Sequence, residues 1–297
     1  MSNSAATAVR KQPRALTRDA RAVRRRRMGT AMTYSILLAL AAVYIFPFLI
    51  AIATSFKTDP NATADPLGLV PSPVTTSAFH ELKNQDFLLW VKNSVIVTVS
   101  VTFLRVFLDS LAGYSLARLR FRGRAAAFTT IVAVMAVPGV VLLIPKFLII
   151  RQLGIYDTYY GMTIPLLVDA AGVFIMKNFF ESIPVSVEES ARIDGASLFR
   201  IYWSIVLPMA RPALITIFIL SFQGSWNELA HFIISTQSAG LDTLTKGVAQ
   251  LASGQLGSGN RYPLKLAASV LMTIPVAVLF FVFQRRIMST TEGAVKE

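Results

Sequence analysis

The chain has no cysteine among its 297 residues. That excludes disulfides, thiolate nucleophiles, zinc fingers and cysteine-ligated clusters. Charge is also scarce: Asp, Glu, Lys and Arg make up 15% of the residues, while hydrophobic residues make up 54%. An ordinary soluble domain carries about 25% charged residues, so a soluble globular enzyme is excluded by composition. There are only two histidines, His80 and His231, far apart in the sequence; both read as packing or surface residues rather than metal ligands. No G-x-x-x-x-G-K-[ST] sequence occurs, so the chain has no phosphate cradle for ATP. No Ser/His/Asp arrangement or paired carboxylates suggest other catalysis.

What the chain does have is positive charge in one place. Its net charge is +13, and nine of the 29 basic residues lie in the first 27 positions, from Arg10 and Lys11 to the run Arg24–Arg27. A basic arm is a nucleic-acid signal in some proteins. This one has no interleaved aromatics and runs straight into residues 31–56, which contain no charge at all. About 20 apolar residues suffice to cross the hydrocarbon core of a bilayer, whereas a cleavable secretory signal has an apolar region of only about 7–15. The arm therefore reads as a tail, residues 1–29, held at the inner face of a membrane by the positive-inside rule, and nucleic acid is not an expected partner.

Six spans are predicted, at roughly 30–54, 88–115, 125–149, 159–180, 209–234 and 264–284. The runs lack the alternation over about ten residues that membrane strands show, and a backbone in lipid must satisfy its own hydrogen bonds, so each span is read as an α-helix. With the N-terminus inside, the inner segments hold eighteen basic residues and the outer ones five. An even number of spans places both termini in the cytoplasm. The expected organisation is a six-span domain over 30–284, with a C-terminal tail over 285–297.

The inner segment 181–208, ESIPVSVEESARIDGASLFRIYWSIVLP, differs from the other inner loops, which are short and basic. Pro184 suits a helix start, Ser186-Val187-Glu188-Glu189 fits a capping box, Gly195 can end that helix in a left-handed conformation, and Ser197 can cap the next. Leu198, Ile201, Tyr202 and Ile205 form an apolar stripe at helical spacing. Such a helix–turn–helix rests either on lipid or on another protein.

This segment resembles the "EAA loop" of binding-protein-dependent ABC importer permeases, with Glu189, Ser190, Ala191, Gly195, Ile205, Leu207 and Pro208 at the motif positions and Asp194 beside the glycine. Ser190 replaces the second small residue of the pattern. Phe46-Pro47-Phe48, Leu116-Ala117-Arg118-Leu119-Arg120-Phe121 and Ser225-Trp226-Asn227-Glu228 are similar to the carbohydrate-uptake branch, in particular to the smaller permease subunit of maltose-type transporters. The resemblance implies an all-α type I ABC importer permease fold in a bacterial cytoplasmic (inner) membrane. It also implies a coupling role for the loop toward a separate ATPase and, as partners, a second permease subunit, two ATPase subunits that hold ATP and Mg, and an extracytoplasmic solute-binding protein. Alternatives are an ABC permease for a non-sugar solute, an ion-driven secondary carrier, which would show inverted repeats that are not seen, and a membrane enzyme.

Ionisable groups inside spans are costly and face protein or water. Arg105 and Asp109, four apart, share a helix face and are read as an intramembrane ion pair, with a substrate contact as the alternative. Asp169 has no partner four residues away and faces either the other permease or the pathway. Trp226, Asn227 and Glu228 combine an aromatic face with amide and carboxylate groups, as sugar sites do; the competing reading is that Trp226 packs between helices while Asn227 bonds across them.

Overall fold

The computed structural model describes residues 16–257, 259 and 261–293, so Arg10, Lys11, Arg14 and Lys296 lie outside the described residues. These are joined entirely through helices and turns, without a strand. In chain order the helices are α1 (Leu16–Ser55), α2 (Asp59–Ala64), α3 (Ser77–Glu81), α4 (Phe87–Arg118), α5 (Arg124–Met135), α6 (Leu143–Gln152), α7 (Tyr159–Thr163), α8 (Ala170–Ser182), α9 (Val185–Ile193), α10 (Leu198–Ile201), α11 (Leu207–Met209), α12 (Arg211–Trp226), α13 (Ala230–Ser235), α14 (Leu244–Ser253) and α15 (Tyr262–Gly293).

Three helices are unbroken and apolar over membrane-crossing lengths: Arg27–Ser55, Phe87–Arg118 and Tyr262–Gln284. The other three predicted spans are each bent, and the total reaches six when each bent pair is counted as one span. The third bends by 105° between α5 and the turn that begins at Gly139. Pro138 causes this break, because a proline disfavours helical backbone at the residue before it; its own φ and ψ are −58° and 128°. The fourth bends by 41° across the turn Ile164–Leu166 and residues 167–169. The fifth bends by 79° at Ala210, just before Pro212 in the first turn of α12. Pro145 sits in the first turn of α6, where its missing N–H costs little, and Pro275 lies inside the unbroken α15.

Helix α4 is the post of the bundle. Its Asp109, Gly113 and Ala117 recur every four residues and face α8. A Cβ on Gly113 would stand 2.6 Å from Met176 Cβ, and one on Gly172 only 2.1 Å from Asp109 Oδ2. Small residues at such crossings let two backbones approach closely. Tyr114, Met176, Phe180, Ile201, Tyr202, Val206 and Ile217 form the largest buried cluster around this crossing.

Helix α1 packs chiefly on α15, and its outer face is bare, with Leu38 70% and Tyr44 74% exposed. Exposed apolar area on this scale is foreign to a soluble monomer and fits a helix solvated by hydrocarbon.

The two long connections, 55–87 and 235–263, are folded. In 55–87, the buried Lys57 donates its Nζ hydrogen bond to the Asp65 carbonyl at 2.6 Å. In 235–263, α14 lies against α4. Asn93 Nδ2 donates to the carbonyls of Gly240 (3.0 Å) and Asp242 (2.9 Å), and Tyr159 donates to Asn93 Oδ1 at 2.5 Å. Lys246 pairs with Asp242 at 2.7 Å in the same buried region.

Candidate functional site

The segment after α8 forms two short helices, as its sequence suggests, but by different caps. Pro184 itself is the N-cap residue of α9, and no side chain caps that end. Ser186 falls inside the first turn, and its carbonyl accepts a bond from Ser190 Oγ at 2.9 Å. The expected capping box is therefore not formed. At the other end Gly195 takes φ +77°. Gly195 N–H donates to Arg192 O at 3.0 Å and Ala196 N–H to Ala191 O at 3.0 Å, the paired bonds of a Schellman ending. Ser197 Oγ accepts from Arg200 N–H at 3.4 Å, as the sequence predicts. The backbone then widens into a π-helical turn over Tyr202–Val206. This shifts the buried stripe to Ile201, Tyr202 and Val206, leaving Ile205 half-buried and Leu198 exposed. Leu207 and Pro208, both half-buried, carry the chain into α12.

What fixes this segment to the bundle is a residue the motif did not point to. Glu188 is buried, with Arg118 Nε 2.8 Å from its Oε1 and Arg192 3.8 Å from Oε2, and Tyr114 donates to Oε2 at 3.3 Å. Arg118 also donates to the Ile183 carbonyl. Ser110 Oγ and Tyr202 Oη lie 2.7 Å apart. The loop is thus joined to α4 by charge, hydroxyl and ring contacts. Glu189 by contrast is exposed, as are Ser190, Asp194 and Gly195, while Ala191 is buried. Val185, Glu189 and Ile193, four residues apart, share the outward face of α9. Ile193 is 87% exposed and Phe199, on α10, 70%. The result is an acidic group within a bare apolar surface on a braced mount.

A second feature lies within the bundle. Arg105, Asp169, Gly172, Ile217, Leu220, Ser221 and Gly224 line a recess of about 200 Å³ between α4, the start of α8, and α12. Arg105 and Asp109 share a helix face but do not form an ion pair among the described residues. Arg105 Nε donates instead to the Leu166 carbonyl at 2.6 Å. Asp109 Oδ1 accepts the Asp169 N–H at 3.1 Å, and its buried Oδ2 has no hydrogen-bond partner. The break in the fourth span moves Asp169 from mid-helix to the N-cap of α8, where its side chain accepts from Gly172 N–H at 3.0 Å.

The predicted trio of Trp226, Asn227 and Glu228 is not a single surface. Trp226 is buried, donates its indole N–H to the Met272 carbonyl at 3.1 Å and stacks on Phe222 with centroids 5.8 Å apart. Glu228 Oε1 accepts from His231 N–H at 2.9 Å at the start of α13. Only Asn227 is exposed.

Outside the spans, Asp157 joins two connections. Its carboxylate receives hydrogen bonds from the Ser238 hydroxyl, Ser238 N–H (2.9 Å) and Gln237 N–H (2.8 Å). Those donors, the Ser238 hydroxyl first, hold its pKa below the ordinary carboxylate value.

Long apolar helices, bent spans and a loop braced at one end of the bundle define a multi-pass, all-α membrane protein. Residues 109–291 match the family described as "Binding-protein-dependent transport system inner membrane component", and the chain belongs to that family. It is 33% identical over 260 residues to the inner membrane ABC transporter permease protein YcjP of Escherichia coli (strain K12), covering 86% of this chain and 92% of that protein. It is 32% identical over 272 residues to the polygalacturonan/rhamnogalacturonan transport system permease protein YtcP of Bacillus subtilis (strain 168), covering 87% and 94%. A crystal structure of a bacterial ABC transporter involved in the import of the acidic polysaccharide alginate contains a chain similar to this one. The TM-score is 0.75 at 27% identity, covering 87% of this chain and 96% of that one.

Proposed function

We propose that this chain is one permease subunit of an ATP-driven importer for a sugar or oligosaccharide in a bacterial inner membrane. It forms half of the translocation pathway beside a second permease. Two ATPase subunits carry ATP and Mg²⁺, and a binding protein delivers the cargo from the other side. The carbohydrate reading is supported by YtcP, named for polygalacturonan and rhamnogalacturonan, and by the alginate importer.

The observation that carries the coupling role is the contrast between two adjacent glutamates. Glu188 is buried against Arg118 and Tyr114, while Glu189 stands free on the outer face with Val185 and Ile193. In this reading Glu189, Ser190 and Ile193 meet a groove on the ATPase, and Glu188 transmits the motion to α4. Asp194 and Gly195 form the bend, and Ile205, Leu207 and Pro208 pass the motion to α12. The charge bias supports a cytoplasmic side for this loop and both termini.

The test is purification of the tagged chain from its native membrane. An ATPase bearing a phosphate-loop motif co-purifies, and Glu189→Lys releases it or uncouples its hydrolysis from uptake. Retention of that ATPase with normal uptake by Glu189→Lys contradicts the coupling role. A direct binding screen on the partner binding protein identifies the sugar.

A further inference from the structure

We propose that the recess of Arg105, Asp169, Ser221 and Gly224, and not Trp226, is the wall this subunit presents to the cargo; this rests on the permease reading above.

A guanidinium and a carboxylate at membrane depth are expensive unless they face protein or water. Arg105 uses its Nε on the Leu166 carbonyl, and its outer nitrogens are turned toward α12, since a Cβ on Gly224 would meet Arg105 Nη1 first, at 3.8 Å. Asp169, whose carboxylate also accepts the Gly172 N–H, and Ser221 line the same recess. A donor fork, an acceptor and a group that does both, converging on a small cavity, are what orient a polar ligand. They match the vicinal hydroxyls of a sugar, each of which donates and accepts.

Among the described residues the mouth stays open on the α12 side. Leu220, Gly224 and Asn227 are the exposed residues of this face of α12 and its end, spaced four and three apart. Asn227 thus continues the recess by one helical turn, while Trp226, one position away, points into the core against Met272. Gly224 keeps the opening clear, because any long side chain there would project over Arg105.

The native absence of cysteine makes the test clean. Gly224→Cys and Ser221→Cys are made singly in the assembled transporter in membranes and treated with the impermeant anion 2-sulfonatoethyl methanethiosulfonate, with Phe103→Cys, on an exposed face of α4, as the lipid control. The thiolate is the reactive form and does not form in hydrocarbon, so Gly224→Cys is expected to be labelled at least about tenfold faster than Phe103→Cys. Ser221→Cys, deeper in the recess, is expected to react more slowly than Gly224→Cys but faster than the control. If Gly224→Cys is as inert as Phe103→Cys in a complex that still hydrolyses ATP, the recess is closed to water and the inference is overturned while the permease reading stands. If no ATPase accompanies the chain, that reading falls first and the inference with it.

Discussion

Glu188 and Glu189 are neighbours in sequence with opposite fates, and the difference is testable. Removing one partner of a buried ion pair leaves an uncompensated charge and costs about 3–5 kcal/mol. Glu188→Gln is therefore expected to lower the melting temperature of the detergent-solubilised protein, whereas Glu189→Gln, on an exposed side chain, leaves it unchanged. Equal melting temperatures for the two variants would contradict the brace. Gly172→Ala is expected to destabilise through overpacking by about 1–3 kcal/mol, since the new Cβ would fall 2.1 Å from Asp109 Oδ2; membrane yield and melting temperature report it. Glu189 was legible in the sequence because its motif is local. Glu188 was not, because the partners that tie it to α4, Arg118 and Tyr114, are remote, Tyr114 by 74 residues. Trp226 stayed open between two readings for the same reason: composition shows a ring beside an amide and a carboxylate, but only the packing of α12 on α15 shows that the ring points between helices.

At the scale of elements, apolar length announces the three unbroken helices, and a proline stands near each break in the others, but Pro47 and Pro275 lie within unbroken helices, so proline alone does not locate a break. Neither announces the angle. The 105° turn at Pro138 and the N-cap role of Asp169 come from tertiary fit, which hydropathy does not encode. The ending of α9 is different, because Gly195 predicts its own left-handed conformation. Nothing lies within 4 Å of a Cβ there, so Gly195→Val carries a purely backbone cost of about 1–2 kcal/mol. The variant is expected to insert normally but to lose cargo-stimulated ATP hydrolysis; unchanged stimulation would show that the bend does not matter. The Asp157 latch has a pH signature. Its folded pKa is depressed, so its stabilisation is present above the ordinary carboxylate pKa and is lost as pH falls through the lower folded value. Hydrogen exchange in residues 236–240 is expected to rise at the acid end of that window in the native protein, beyond the intrinsic change, and to be already raised at neutral pH in Asp157→Ala. Equal exchange in the two proteins at neutral pH would exclude the latch.

Over the whole molecule, two facts set the function. The outer faces of α1, α4 and α15 are apolar and bare, as a lipid-solvated bundle requires, and in the loop over 181–208 a short exposed helix carries a free acid and bare apolar side chains on a mount tied to α4. The first was legible from composition alone. The second was half legible, since the motif located the loop but not its brace. The most direct measurement is photocrosslinking from Ile193→Cys, labelled with a benzophenone maleimide in native membranes. The account predicts an adduct with a nucleotide-hydrolysing subunit, formed at a yield that changes when ATP is added. Adducts with lipid alone, in membranes where the chain is inserted and abundant, would contradict it.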